Sequence, residues 1–305
     1  MALQVTTRML KLRKIKVLHI EPTDVCQAAC PLCSRETNPD FNKSDANHHL
    51  RVEHIQHLYP EKQIKKLEKV FMCGDYGDPA AGKYTLDLYK YFRLINPKIT
   101  LGMNTNGGLQ TTFWWYGLSQ ILNQSNDYCV FSIDGLEDTN ATYRKNVNWA
   151  KLMANAESFI SAGGSAHWDM LVYKHNQHQV EACEQLARDM GFKWFRAKVS
   201  KRPMLAGLEA PIGWQKPVKK LGAINCYAIA EKSEYVDARG RKIPCCWLGN
   251  RVIDPITDIA VVQATWKTDS PTPECINNCS FNKNKTVFED QWQKEVEFSK
   301  GSGVQ

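Results

Sequence analysis

The sequence predicts an α/β protein, an open barrel of six strand-and-helix units followed by a smaller cysteine-rich region. Three observations carry this. Apolar strand-length runs alternate with helix-period segments through the first two hundred residues, that alternation stops near residue 200, and five of the eleven cysteines crowd between positions 226 and 279. Alternating strands and helices build a parallel sheet through right-handed crossovers, and six units are too few for the usual eight-stranded barrel.

Taken in order, the strands are expected at KVLHIE (16–21), KVFMC (69–73), ITLGMNT (99–105), YCVFSI (128–133), AHWDMLVY (166–173) and KWFRAKV (193–199), each short, apolar and rich in β-branched or aromatic residues. Between them PEKQIKKLEK, TLDLYKYFRLI and QVEACEQLARDMG carry the helical period, the last closing on a glycine placed as a C-cap. Past residue 200, KRPMLAGLEAPIGWQKPVKKLG has three prolines and no clear period, which marks a boundary. The expected organisation is a basic arm at 1–11, a barrel at 12–205, a cysteine-rich region at 206–299 and a frayed tail at 300–305. In such a barrel, chemistry belongs on the loops that follow the strands.

Composition excludes several classes. A chain of 305 residues with 43% hydrophobic content builds a sizeable core. No apolar run approaches a membrane span, and MALQVTTRMLKLRKIK lacks the apolar stretch of a secretory signal, so a soluble, cytoplasmic protein is expected. The net charge of +7 comes from scattered residues with only a mild cluster at 8–15, which argues against nucleic acid as a partner. Eleven cysteines without a secretory signal favour metal binding or catalysis over a disulfide framework.

Cys26, Cys30 and Cys33 lie on the loop directly after the first strand. Three thiolates hold three irons of a 4Fe-4S cubane and leave the fourth iron open to a chelating cosubstrate. A closed zinc site would need a fourth ligand, for which His48, His49, His54 and His57 are the nearby candidates. The CxxxCxxC pattern resembles the signature of radical S-adenosylmethionine (SAM) enzymes, although Leu32 stands where that family usually has an aromatic residue. The resemblance implies a partial (β/α)6 TIM-type barrel in which a reduced cluster cleaves SAM to a 5′-deoxyadenosyl radical. It also implies an electron donor such as flavodoxin or ferredoxin.

Further stretches fall where that family places its SAM contacts. Gly74, Asp75, Tyr76, Gly77 and Asp78, followed by Pro79, resemble a variant of the family's GGEP segment, which meets the SAM amino group; an ordinary Gly-Asp turn has the same composition. Asn106, in NTNGG after the third strand, is a candidate to face the ligand, and a plain Asn-Gly turn is the alternative. Ser132 and Asp134 resemble the ribose-contacting pair and Arg144 the arginine that pairs with the SAM carboxylate. A helix cap and a surface ion pair would need the same residue types. Asn176, after the fifth strand, is a candidate for the adenine region.

Cys226, Cys245, Cys246, Cys275 and Cys279 form the second group, in a C-x13-G-x4-C arrangement whose Gly240 turns a hairpin, followed by CINNC. Four thiolates close the shell of a 4Fe-4S cluster or of zinc, and spacing does not choose between them. The arrangement resembles the SPASM/twitch extension of radical SAM enzymes. The cysteine number suits the shorter twitch type, which implies a second, auxiliary 4Fe-4S cluster on Cys226, Cys245, Cys275 and Cys279, with Cys245 chosen over Cys246 by the glycine spacing. Asp237 is a candidate proton acceptor near that cluster; an Asp in a hairpin turn needs no such role. Cys73, Cys129 and Cys183 read as small core residues. FWWYG at 113–117 reads as packing rather than a stacking platform, and the histidines at 48–57 as a solvated segment. The expected activity is net oxidation of a small molecule or a peptide side chain. The rival reading is a zinc-stabilised nucleic-acid-binding module without catalysis.

Overall fold

The computed structural model describes residues 14–200, 202, 204, 205, 207–215 and 222–280. The arm at 1–11, the tail at 300–305 and part of the region assigned to 206–299 lie outside the described residues. Six parallel strands follow one another across a sheet: β1 (Val17–Ile20), β2 (Lys69–Met72), β3 (Thr100–Thr105), β4 (Tyr128–Ser132), β5 (Ala166–Val172) and β6 (Trp194–Val199). Each falls within the run expected of it. Helices Thr85–Ile95, Thr112–Ile121, Trp149–Ser161 and Val180–Asp189 form the crossovers. The expected helix over PEKQIKKLEK is shorter, Glu61–Ile64. Its single buried residue, Ile64, gives a longer helix little apolar face to dock.

The sheet has an apolar side and a more polar side. Alternation within each strand sends Leu18, Ile20, Val70, Met72, Leu101, Met103, Cys129, Phe131, Trp168 and Met170 to one face, all buried. Trp115 and Phe159, from two of the crossover helices, stack around Phe131. The strand register sends the alternate positions His19, Lys69, Asn104, Ser132, Asp169, Arg196 and Lys198 to the other face. A sheet with apolar helices on one side and a polar inner face curls into an open barrel whose mouth lies at the strands' C-terminal ends.

Two more strands extend it: β7 (Ser233–Val236) and β8 (Lys242–Ile243). The strand order is β6-β5-β4-β3-β2-β1-β7-β8, with β7 parallel to β1 and β8 antiparallel to β7. The C-terminal hairpin is therefore an extension of the barrel sheet, and it covers what would otherwise be the exposed edge of β1. Gly240 makes the turn at φ +76°, a conformation costly for other residues. No described helix is long and apolar enough to cross a membrane.

Candidate functional site

Cys26, Cys30 and Cys33 lie on the loop after β1, at the barrel mouth. Each thiol faces a polar group on another loop. Asn106 Nδ2 stands 3.7 Å from the Cys26 sulfur, Arg144 Nη1 3.9 Å from the Cys30 sulfur, and the Asp75 carbonyl oxygen 3.8 Å from the Cys33 sulfur. Loops after β2, β3 and β4 thus converge on one cysteine triplet. Burial pushes the Cys26 and Cys30 thiols up, with Asp78 adding to the rise at Cys26 and the Arg144 cation opposing it at Cys30.

The loop after β2 owes its shape to close packing. A Cβ on Gly77 would lie 1.9 Å from the Thr23 carbonyl oxygen, and one on Gly74 would lie 2.2 Å from that of Gly77. Glu21, which sequence reasoning missed, holds this loop: its Oε1 accepts from the Tyr76 and Gly77 amides at 2.7 and 3.0 Å, and its Oε2 accepts from the Tyr235 hydroxyl at 2.8 Å. Burial raises the Glu21 pKa to about 7. Burial likewise pushes Asp75 well up, and its Oδ2 is buried without a hydrogen-bond partner among the described residues. Tyr76 stacks on Phe41, and its hydroxyl accepts from Asn38 Nδ2 at 2.7 Å, so it ties the first two loops together.

The remaining barrel residues divide between those aimed at the triplet and those spent on scaffolding. Asp78 accepts from the Ala80 amide, the Thr105 hydroxyl and the Asn106 amide at 2.9, 2.8 and 2.7 Å, which locks the β2 loop to β3 and aims Asn106 at Cys26. Asn106 Oδ1 also accepts from Gln27 Nε2 at 2.7 Å. Asp134 is fully buried; its Oδ2 accepts from Arg144 Nε and its Oδ1 from the Leu171 amide, both at 2.6 Å. Its carboxylate is thus engaged in holding Arg144 over Cys30. Asn176 is spent in the same way, donating to the Asp134 and Leu171 carbonyls at 3.0 and 2.9 Å and accepting from the Tyr173 amide at 2.7 Å. Ser132 ends β4 half-buried.

The second group of cysteines surrounds one cavity. Cys226, Cys245, Cys275 and Cys279 all line it, together with Trp247, Leu248, Ile259 and Val262. Cys246 does not line it; this thiol lies within electrostatic reach of Asp75 and Cys73, toward the barrel. Burial pushes Cys245 up to about 12 and Cys275 up to about 11. Among the described residues no three His, Cys, Asp or Glu side chains stand close enough to hold one metal ion. Both sets nevertheless offer the donors a cubane takes, in which each thiolate binds a different iron. Asp237 lines a neighbouring cavity with Glu21 and Tyr76. Its Oδ2 is paired with Arg241 Nε at 2.6 Å and its Oδ1 accepts from the Arg239 and Arg241 amides.

Cys129 and Cys183 are fully buried, while Cys73 is half-buried. FWWYG lies in the helix Thr112–Ile121, with Trp115 fully buried and Phe113 exposed. His48 departs from the solvated reading, because buried Asp24 binds both its amide and its Nδ1, at 2.9 and 2.7 Å.

No protein-family model and no curated protein matches the chain. Its fold is similar to that of several solved structures. Streptococcus suis SuiB bound to S-adenosylmethionine gives a TM-score of 0.57 at 15% identity, covering 80% of this chain and 63% of that one. SuiB bound to precursor peptide SuiA gives 0.56 at 14%, covering 80% and 62%. Native anSMEcpe with bound AdoMet gives 0.55 at 16%, covering 78% and 75%. The chain therefore spans slightly under two thirds of the length of SuiB, and a structural likeness at this low identity shows a shared fold alone.

Proposed function

We propose that this chain is a radical SAM enzyme with an auxiliary iron-sulfur centre. The observation that carries the reading is the cysteine triplet at the mouth of an open parallel barrel, approached by Asn106 and Arg144 from two other strand loops. When bound, a reduced 4Fe-4S cluster with SAM at its open iron supplies the 5′-deoxyadenosyl radical that abstracts hydrogen from the substrate. The chain's own residues supply binding and orientation. Arg144, with Nε held by Asp134 and Nη1 turned toward Cys30, is placed to receive a carboxylate beside the triplet. Of the two acids on the loop after β2, Asp78 is already engaged by three donors, which leaves Asp75, whose Oδ2 has no hydrogen-bond partner among the described residues, to meet an ammonium group, whose charge would favour the ionised form that burial opposes. The Ser132 hydroxyl suits a ribose diol.

The four-thiol cavity supports an auxiliary 4Fe-4S cluster on Cys226, Cys245, Cys275 and Cys279. Thiols ranged round a cavity suit a cluster better than a single zinc ion, on which ligands must converge. An auxiliary centre able to accept an electron makes net oxidation of a small molecule or peptide side chain the predicted outcome, with flavodoxin or ferredoxin as the class of electron donor. Anaerobic iron and sulfide analysis tests this. About eight irons per chain, the sum of two 4Fe-4S clusters, with 5′-deoxyadenosine released on reduction in the presence of SAM, is the expected result. Stoichiometric zinc and no such product would overturn it.

A further inference from the structure

The apolar packing beside the second cysteine set holds a polar atom that the reading above leaves unused. Trp266, at the end of the helix Ile259–Thr265, packs with Cys245 against the buried residues Tyr235, Ile243, Leu248, Val262 and Cys275. Its indole Nε1 is buried and has no hydrogen-bond partner among the described residues. A buried donor without an acceptor is costly, so its retention needs a reason.

The place of this indole is fixed by a clamp between two helices. Thr272, the N-cap of the helix Pro273–Cys279, donates its amide to Thr265 Oγ1 at 2.9 Å, and the two hydroxyls stand 2.8 Å apart. The Thr272 carbonyl in turn accepts from the Cys275 amide at 3.0 Å. Trp266 follows Thr265 and Cys275 lies in the first turn after Thr272, so one junction sets both. The indole favours the Cys275 thiolate, against the burial that pushes this thiol up to about 11, yet it stops short of a hydrogen bond. Cys245 is served differently. It precedes the helix Cys246–Gly249, whose Leu248 and Trp247 amides favour its thiolate.

A neutral thiol in an apolar wall needs no donor, whereas a sulfur bound to iron has lost its proton, carries negative charge and draws an N–H. Reduction of a cluster adds charge that its sulfurs share, so a donor held at one of them favours the reduced form and raises the potential. We propose that the Trp266 indole N–H donates to the Cys275 sulfur of the auxiliary centre and raises its reduction potential, favouring its one-electron reduction by the substrate radical. This inference rests on the auxiliary-cluster reading.

The test is a redox titration of the anaerobically reconstituted full-length protein, followed by electron paramagnetic resonance without and with SAM. The signal that SAM leaves unchanged reports the auxiliary centre. Trp266→Phe removes the donor and keeps an aromatic ring. It should make reduction of that centre about tenfold less favourable, a fall of about 59 mV for one electron, with about eight irons retained and the SAM-sensitive signal unmoved. A second measurement keeps Trp266 in place: in the Trp247→Phe protein, which lacks the indole lining the cavity, isotope-labelled indole nitrogen should couple to the reduced auxiliary centre. Should Trp266→Phe lose iron, that coupling decides. An unchanged potential with the irons retained, or no coupled indole nitrogen, overturns the proposal and leaves Trp266 a packing residue. Unsubstituted protein with about four irons and no SAM-insensitive signal defeats the auxiliary-cluster reading instead.

Discussion

Cys26, Cys30 and Cys33 sit among hydrogen-bonding groups brought in by three other loops, whereas Cys226, Cys245, Cys275 and Cys279 ring a cavity walled largely by Trp247, Leu248, Ile259 and Val262. Both places offer cysteine sulfur, but the surroundings differ. An apolar shell with four thiols closes a centre off from chemistry, as in structural metal sites. A polar shell with three thiols leaves a position for a second molecule and supplies donors to orient it. The two regions also touch: Glu21 on the loop after β1 binds the loop after β2 with one oxygen and Tyr235 on β7 with the other.

The largest expected effect separates the two centres. Cys30→Ala should abolish 5′-deoxyadenosine formation, while Cys245→Ala should remove about four irons, one cluster, and still form that product in the presence of SAM and reductant. Iron analysis and chromatography of the nucleoside read both. Cys246→Ala should keep the full iron complement, because this thiol faces Asp75 rather than the cavity; a loss of iron there would reverse the assignment.

A smaller effect is expected where the open site is braced. Asp134→Ala leaves the Arg144 guanidinium, whose side chain is 15% exposed, without its partner. Removing one member of a buried pair costs about 3 to 5 kcal/mol, and urea denaturation should show a loss of that order. The equivalent test in the C-terminal region is the Arg251–Glu274 pair, 34% and 23% exposed. Glu274→Ala should cost about 1 kcal/mol or less, because such a pair is largely screened.

The link between the regions has a pH signature. Burial raises Glu21 from 4.5 to about 7, so the folded state holds its proton more tightly than the unfolded chain does. The contribution to stability is full below the unfolded value and is lost as pH rises through the folded one. Denaturation should show stability falling by about 3 kcal/mol across that window, and Glu21→Gln should flatten the fall. An unchanged slope would show that Glu21 is charged throughout.

Much of this was legible in the sequence, for physical reasons. Runs such as KVFMC and YCVFSI are short, apolar and buried along nearly their whole length, so all six barrel strands were found. SEYV was not, because a four-residue strand gains its identity from pairing with β1, more than two hundred residues away. The two cysteine sets were picked out by residue type and spacing, and the structure places one on the loop after β1 and the other around a cavity. Asp134, Asp78 and Asn176 were picked for their chemistry on loops after the strands; in the structure they bind neighbouring backbone groups, the Thr105 hydroxyl and Arg144. Glu21 and the ion pairs of Asp169 with Arg196 and Lys198 were missed, although charged residues at alternate positions of WFRAKV already marked one face of β6 as wet.

The central claim is that one iron of the barrel cluster is open to SAM. The direct measurement is electron paramagnetic resonance of the anaerobically reconstituted, reduced Cys245→Ala protein, which on this account would keep only the cluster on Cys26, Cys30 and Cys33. Adding SAM should change the signal in line shape and g values. A spectrum identical with and without SAM would contradict the account.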